Sequence, residues 1–353
     1  MADLVPGFRS AIEANGSVVL RAGLDLEAAS ELGVAPRWDA QLILHSQSRW
    51  FLEHTLRRCV LESSNNVSVR SGQTIRGLQH DEGTHRITGV EIEQEGRRHS
   101  LACDLVIDAT GRGEGGLRWL TALGLDVPAI EEVSVDFGYA SATVKLRDEE
   151  RAWKALATGN LPRVGARGGV LLPIEGGLYI CSLGGRAGDY PPDEQAAFLE
   201  FAKGLPHAPL YEALSHAEFL TPISRMIYPA NRFRRYEAMT SLVGRLLPVG
   251  DALCSFNPTY GQGMSSAALQ CAALAETFAN RSASDALETL IPRYLPRAAE
   301  AARLPWRQAN FNDFLYPTTE AIAACSRRRR RRIVSQFRWP RPAMRWSASS
   351  PTK

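Results

Sequence analysis

A chain of 353 residues with 44% hydrophobic side chains can bury a sizeable core and hold two domains. Its formal net charge is only +3, less than the arginine run Arg327–Arg332 alone would supply, so the body of the chain has no basic surface of the kind that binds nucleic acid. No apolar run approaches the roughly 20 residues that span a bilayer, Met1–Ser10 lacks the order of a signal peptide, and six scattered cysteines with no CxxC or His-rich cluster read as free thiols in a reducing, cytoplasmic setting, not as a metal site or disulfide framework.

Met1–Ser10 reads as loop. Phe51, Leu52, Leu56 and Val60 have helical spacing, with Ser48 as N-cap and Arg49 at the helix start. Val67–Arg70 and Gln73–Leu78 read as strands, and Arg86–Glu93 as a half-exposed strand in a hairpin-rich insert. Asp104–Asp108 is a short apolar strand ending in Asp108-Ala109-Thr110-Gly111. Gly111–Gly116 formally fits GxGxxG, but no ribose-binding acid follows a strand in register. Val133–Val144 alternates at period two, and Gly169–Ile174 with Leu178–Gly184 reads as a hairpin. Asp193–Lys203, capped by Asp193, and Leu210–Ala217 read as short helices, and Thr221–Pro229 as a further strand. Ala283–Arg303 reads as a helix, and Trp306, Phe311 and Phe314 as core. No apolar periodicity survives in 326–353, a basic stretch that reads as a disordered tail.

The segment Leu246–Met264 carries the most information. Leu246–Val249 reads as a buried strand, Gly250-Asp251 ends it, and a loop with Pro258, Gly261 and Gly263 leads into the Ala-rich Ser265–Glu276, read as a tightly packed helix. Strand, acid, Gly-rich loop and helix present a helix N-terminus to an electron-rich ligand, since the unpaired N–H groups of the first turn favour negative charge. Asp251 is placed to accept hydrogen bonds from ligand hydroxyls. Cys254, in the same loop, reads as a small buried thiol. None of the seven histidines sits in a catalytic motif, and no Ser-His-Asp set or carboxylate pair is evident, so no catalytic side chain is assigned.

These motifs resemble the FAD-dependent monooxygenases of the aromatic-hydroxylase, squalene-epoxidase and polyether-epoxidase type. The resemblance implies an α/β fold: a Rossmann-like FAD-binding domain, N-terminally truncated, with an antiparallel β-sheet substrate domain. The implied division is a partial start over 1–45, FAD-domain segments over 46–130 and 241–325, the substrate sheet over 131–240 and the tail over 326–353. Arg49, Asp251, Pro258, Gly261, Gln262, Gly263 and Met264 would bind FAD. Tyr139, Tyr179, Arg225 and Tyr228 would line the substrate pocket. NAD(P)H would reduce the flavin transiently. Oxygen would then add to it, and the flavin C4a-hydroperoxide would hydroxylate or epoxidise a small, electron-rich organic molecule. The resemblance leaves the oligomeric state open.

Members of this group begin with a strand and Gly-x-Gly-x-x-Gly that hold the FAD pyrophosphate. This chain shows no such unit, so as written it is expected to bind FAD weakly and dissolve poorly unless an upstream segment or a partner chain supplies it. Two other readings stay open: a flavin-dependent reductase of isoprenoid double bonds, and a truncated, inactive remnant without FAD.

Overall fold

The computed structural model describes residues 4–162, 164–282 and 284–322. The basic stretch 326–353 lies outside them. The chain runs through helix α1 (Phe8–Ala14), strands β1 (Val18–Arg21), β2 (Leu26–Ser30), β3 (Gly33–Val34) and β4 (Ile43–Ser46), helix α2 (Arg49–Ser63), strands β5 (Thr74–Asp81), β6 (Arg86–Gln94), β7 (Arg97–Ala102) and β8 (Val106–Asp108), and helix α3 (Gly115–Ala122). Next come β9 (Ile130–Lys145), β10 (Ala155–Gly159), β11 (Gly168–Ile174), β12 (Leu178–Arg186), helices α4 (Gln195–Lys203) and α5 (Ala208–Ser215), β13 (Glu218–Phe219) and β14 (Ser224–Arg234). It continues with β15 (Leu246–Pro248), β16 (Cys254–Ser255), helices α6 (Gly263–Ala279) and α7 (Leu290–Asp313), and β17 (Glu320–Ile322).

The large sheet has the order β16-β14-β9-β12-β11-β10-β2-β3 and is antiparallel except between β10 and β2. Alternation in β9 gives it two faces. On one, Ala140, Ala142, Val144, Cys181 and Leu183 are buried against Phe198, Phe201, Leu210 and Leu214 of α4 and α5. On the other, Val133, Val135, Phe137 and Tyr228 join the core formed by Leu247, Val249, Tyr294 and Trp306. The register between β9 and β14 slips between Tyr228 and Ala230, so Val135 and Asp136 together oppose Pro229. This is a β-bulge with a proline, which has no N–H to offer the ladder, at the irregularity. Asp136 takes φ +42° there. Its carboxylate accepts from the Tyr190 hydroxyl, and the Tyr190 ring covers Gly138, where a Cβ would lie 2.5 Å from the ring.

The second unit is built on a parallel pair. Leu246, Leu247 and Pro248 of β15 lie beside Val106, Ile107 and Asp108 of β8, so the two strand–acid motifs are neighbours in one sheet. Among the described residues β15 is the sole strand paired with β8.

Several sequence expectations need correction. Residues from Phe8 onward are helical, because Phe8 and Ile12 pack on Leu52 and Cys59 of α2. Val67–Arg70 is not a strand: Val67 and Val69 are exposed and have no neighbouring strand to pair with. Helix α4 is capped by Glu194, not Asp193; its carboxylate accepts from the Ala196 and Ala197 N–H groups at 3.0 and 2.8 Å. Strand β14 begins at Ser224 and runs on to Arg234. Helix α6 is not tightly packed: its buried side chains are Ser266, Gln270 and Thr277, while Leu269 is 52% exposed. Helix α7 starts at Leu290 and continues through Pro296 and Pro305 to Asp313, its apolar face around Ala298, Ala302 and Trp306 outweighing the two lost hydrogen bonds. Trp306 is core, but Phe311 and Phe314 are largely exposed.

Candidate functional site

Residues from both units converge beside Asp251. The backbone leaves β15 through Gly250, whose φ of +66° turns the chain sharply, and a 3-10 turn spans Gly250–Ala252. Gln270 on α6 accepts from the Gly250 N–H at 2.7 Å and donates to Ser266 Oγ at 3.1 Å, so the buried polar stripe of α6 docks that helix on the acid-bearing turn. This brings the N-terminus of α6 to the carboxylate: a Cβ on Gly263 would lie 3.8 Å from Asp251 Oδ1. No side chain caps α6 at Gln262, so its first N–H groups are free of an internal partner.

Three arginines act on the same carboxylate. Burial pushes the Asp251 carboxyl above its ordinary value, and Arg112, Arg49 and Arg234 pull it back. Arg49 opens α2, whose start is fixed by Ser48: its Oγ accepts from the Phe51 N–H at 3.1 Å, and its own N–H donates to Glu175 Oε2 at 2.9 Å on the sheet hairpin. Arg112 follows the Asp108-Ala109-Thr110-Gly111 turn, and its guanidinium stands 4.7 Å above the ring of Tyr228. Arg234, buried in β14, donates to the carbonyls of Asp251, Ala252, Arg112 and Gly113 at 2.8–3.2 Å, tying both motif turns to the large sheet. The Tyr228 hydroxyl and Ser255 Oγ are buried close by and face each other. Burial also drives the Tyr228 phenol and the Cys254 thiol upward, so both are neutral near pH 7.

The GxGxxG-like stretch is arranged differently from a phosphate turn. Asp108 accepts from the Thr110 N–H and Oγ1 at 3.0 and 2.7 Å, and its carboxylate lies against Gly116 in the first turn of α3. Negative charge is already present at that helix N-terminus.

Pro258, Gly261, Gln262, Gly263 and Met264 form the loop and first turn between β16 and α6. Asn257 shapes it by accepting from the Thr259 N–H at 3.1 Å, and Gly261 closes it at φ +62°. Of the four candidate pocket residues, Tyr139 and Tyr228 share the sheet face toward Asp251. Tyr139 pairs with Met226, its hydroxyl 3.2 Å from the Met226 sulfur. Tyr179 and Arg225 are on the opposite face. Tyr179 pairs with Val144 and packs toward α4 and α5, and Arg225 pairs with Ala140 and stands 5.6 Å over Tyr190. Period-two alternation fixes this, since cross-strand partners share a face. Beyond Tyr139, the inner face carries the Ser141–Ser182 hydroxyl pair, 2.6 Å apart. Sequence reasoning missed Arg112, Arg234 and Ser255; the Gly111-Arg112-Gly113 turn was the signal for the first. A surface hollow beside Arg151, Trp153 and His216 lies apart from this constellation and shares no residue with it.

No family model matches the chain. Protein Rv3254 of Mycobacterium tuberculosis is 30% identical over 300 residues, covering 82% of this chain; the match spans 62% of that protein's length. Among solved structures, PqsL of Pseudomonas aeruginosa in complex with 2-aminobenzoylacetate aligns with a TM-score of 0.64 at 16% identity, over 87% of this chain and 79% of that one. HpxO of Klebsiella pneumoniae, complexed with FAD and uric acid, aligns with a TM-score of 0.60 at 17% identity, over 87% and 75%. The flavin-dependent brominase Bmp2 aligns with a TM-score of 0.62 at 14% identity, over 88% and 77%. The fold is that of the FAD-dependent monooxygenases and flavin-dependent halogenases.

Proposed function

We propose, from that shared fold, that this chain belongs to an FAD-dependent oxidoreductase, and specifically to a monooxygenase acting on an electron-rich organic molecule. The observation that carries the reading is the convergence on Asp251 of Arg49, Arg112 and the uncapped N-terminus of α6. A carboxylate suits ribityl hydroxyls, guanidinium groups suit a pyrophosphate, and a helix N-terminus suits a flavin carbonyl edge. The Tyr228 hydroxyl and Ser255 Oγ add two buried polar atoms beside this constellation.

When bound, FAD would supply hydride acceptance and oxygen activation. Asp251 would orient the cofactor by accepting from its hydroxyls. Arg49 and Arg112 would neutralise its diphosphate. The first N–H groups of α6 would stabilise negative charge on the ring system. The inner sheet face, with Tyr139, Met226 and the Ser141–Ser182 pair, would hold the substrate and keep water from it. NAD(P)H would serve as a transient reductant.

Titration of the purified chain with FAD tests this. The expected result is saturable binding with a perturbed flavin spectrum, and bleaching on addition of NADH or NADPH. A spectrum identical to free FAD at hundred-micromolar protein would reject the reading.

A further inference from the structure

A second buried polar cluster lies behind the loop that enters α6. Asp313, the last residue of α7, is fully buried. Its Oδ1 accepts from an Arg186 Nη2, from the Tyr260 hydroxyl at 2.7 Å and from Asn257 Nδ2 at 3.1 Å; its Oδ2 accepts from Asn231 Nδ2 at 2.8 Å. Asn231 Oδ1 in turn accepts from the Asn257 N–H at 2.6 Å. The Arg186 guanidinium lies 4.1 Å from the ring centre of Tyr316 and 5.7 Å from that of Phe137, and it donates to the Val135 carbonyl at 3.2 Å.

This placement is costly in itself. A carboxylate at a helix C-terminus meets the negative end of the macrodipole, and a buried ion pair is weak evidence for stability because desolvation offsets its attraction. Apolar side chains would fill the space at least as well. What the pair does that they could not is grip two points of one loop. Asn257 and Tyr260 flank Pro258-Thr259, and Gly261–Gly263 follow directly.

We infer that Arg186 and Asp313 form a latch that sets the position of the 257–263 loop, and with it the N-terminus of α6, relative to the bound flavin. Arg186 ends a strand of the substrate sheet, Asp313 ends α7, and both hold the loop through Tyr260 and Asn257. They are positioning residues, acting through the loop, since both side chains are buried, at 3% and 0% exposure. The inference rests on the proposed flavin site for its purpose, but the grip on the loop stands without it.

The test uses the full chain, with Tyr260→Phe and Asp313→Asn. Tyr260→Phe removes one donor and leaves Asp313 its cation. Without flavin, hydrogen exchange of the hydrogen-bonded Thr259, Tyr260, Gly261 and Ser266 amides is expected to quicken at least tenfold in Tyr260→Phe, while β12 and the middle of α7 keep wild-type protection. Asp313→Asn is expected to extend the effect to Asn257; should it not fold, Tyr260→Phe alone decides. Unchanged exchange in Tyr260→Phe, or equal quickening throughout the molecule, would overturn the latch. With FAD added, the Tyr260→Phe complex is expected to show a shifted flavin absorption maximum and changed fluorescence quenching. An unaltered flavin spectrum in a variant with a loosened loop would overturn the link to the cofactor. Wild-type chain that takes up no FAD would sink the flavin reading instead, and the exchange measurement would still judge the latch.

Discussion

Arg234 Nη1 donates to the main-chain carbonyl of Asp251 at 2.8 Å, so the last residue of strand β14 in the large sheet holds the acid-bearing turn of the parallel pair. The same guanidinium reaches Arg112 O and Gly113 O through Nη2, at 3.0 and 2.9 Å. Two turns far apart in sequence are thereby joined through one side chain, which supplies donors to four carbonyls.

Arg234→Met is expected to destabilise the fold by ~3–5 kcal/mol, the range for removing one partner from a buried charged network. Arg234→Lys should recover only part of that, since one ammonium cannot reproduce a planar fork reaching both turns. Urea unfolding of the three proteins checks this. A loss below ~1 kcal/mol for Arg234→Met would mean that the turns hold their shape without the clamp.

Asp251 yields a prediction with a defined pH direction. Burial raises its folded pKa above the ordinary 3.8, against the partial pull of Arg112, Arg49 and Arg234. The folded state then binds the proton more tightly than the unfolded state. Its contribution to stability is fully present below the unfolded value and is lost as pH rises through the folded one. At neutral pH the carboxylate is therefore a net cost. Asp251→Asn should raise the unfolding midpoint of the flavin-free chain at pH 7 and leave it nearly unchanged at pH 3. The same variant should hold FAD about tenfold or more less tightly, for the loss of one charge-assisted bond worth ~1.5–3 kcal/mol. Thermal scans at the two pH values and an FAD titration measure both effects.

Arg49→Ala and Arg112→Ala separate binding from folding. Arg49 is exposed and Arg112 half-buried, and no salt bridge of either is present among the described residues. Neither change should alter the unfolding free energy by more than ~1 kcal/mol. Each should weaken FAD about tenfold, and less so at high salt, where screening already reduces the attraction. Retention of FAD equal to wild type in the double variant would remove the arginines from the site.

The strand–acid motifs were legible because each is local. Three or four apolar residues ended by Asp or Gly-Asp predict strand and turn together, and Ile107 and Leu247 duly pair. The Ser48 cap was legible for the same reason. Arg234 was not: its importance comes from carbonyls supplied by Arg112 and Asp251, which only the fold assembles. The face of Tyr179 was not either. Alternation shows that Tyr179 and Cys181 share a face but not which face, and the helices that settle it come later in the chain. Helix α7 was legible in part: the reading over Ala283–Arg303 runs through Pro296 but stops short of Pro305, where long-range packing carries the helix on to Asp313. The Asp313 cluster joins residues 186, 231, 257, 260 and 313, with no sequence pattern to announce it.

The bulge at Asp136 has a consequence for how such a chain can diverge. Tyr190 occupies the space that a side chain at position 138 would need, and it is held there by the Asp136 carboxylate, itself in a backbone conformation that most residues resist. The three positions are thus one heritable unit. Gly138→Ala alone must expel the ring, and Tyr190→Ala alone leaves a hole over a bare glycine. The double change is expected to cost markedly less than the two single losses summed. Related chains that drift at one of these sites should have drifted at the others, trading the glycine, the ring and the acid together for a different filling of the same hollow.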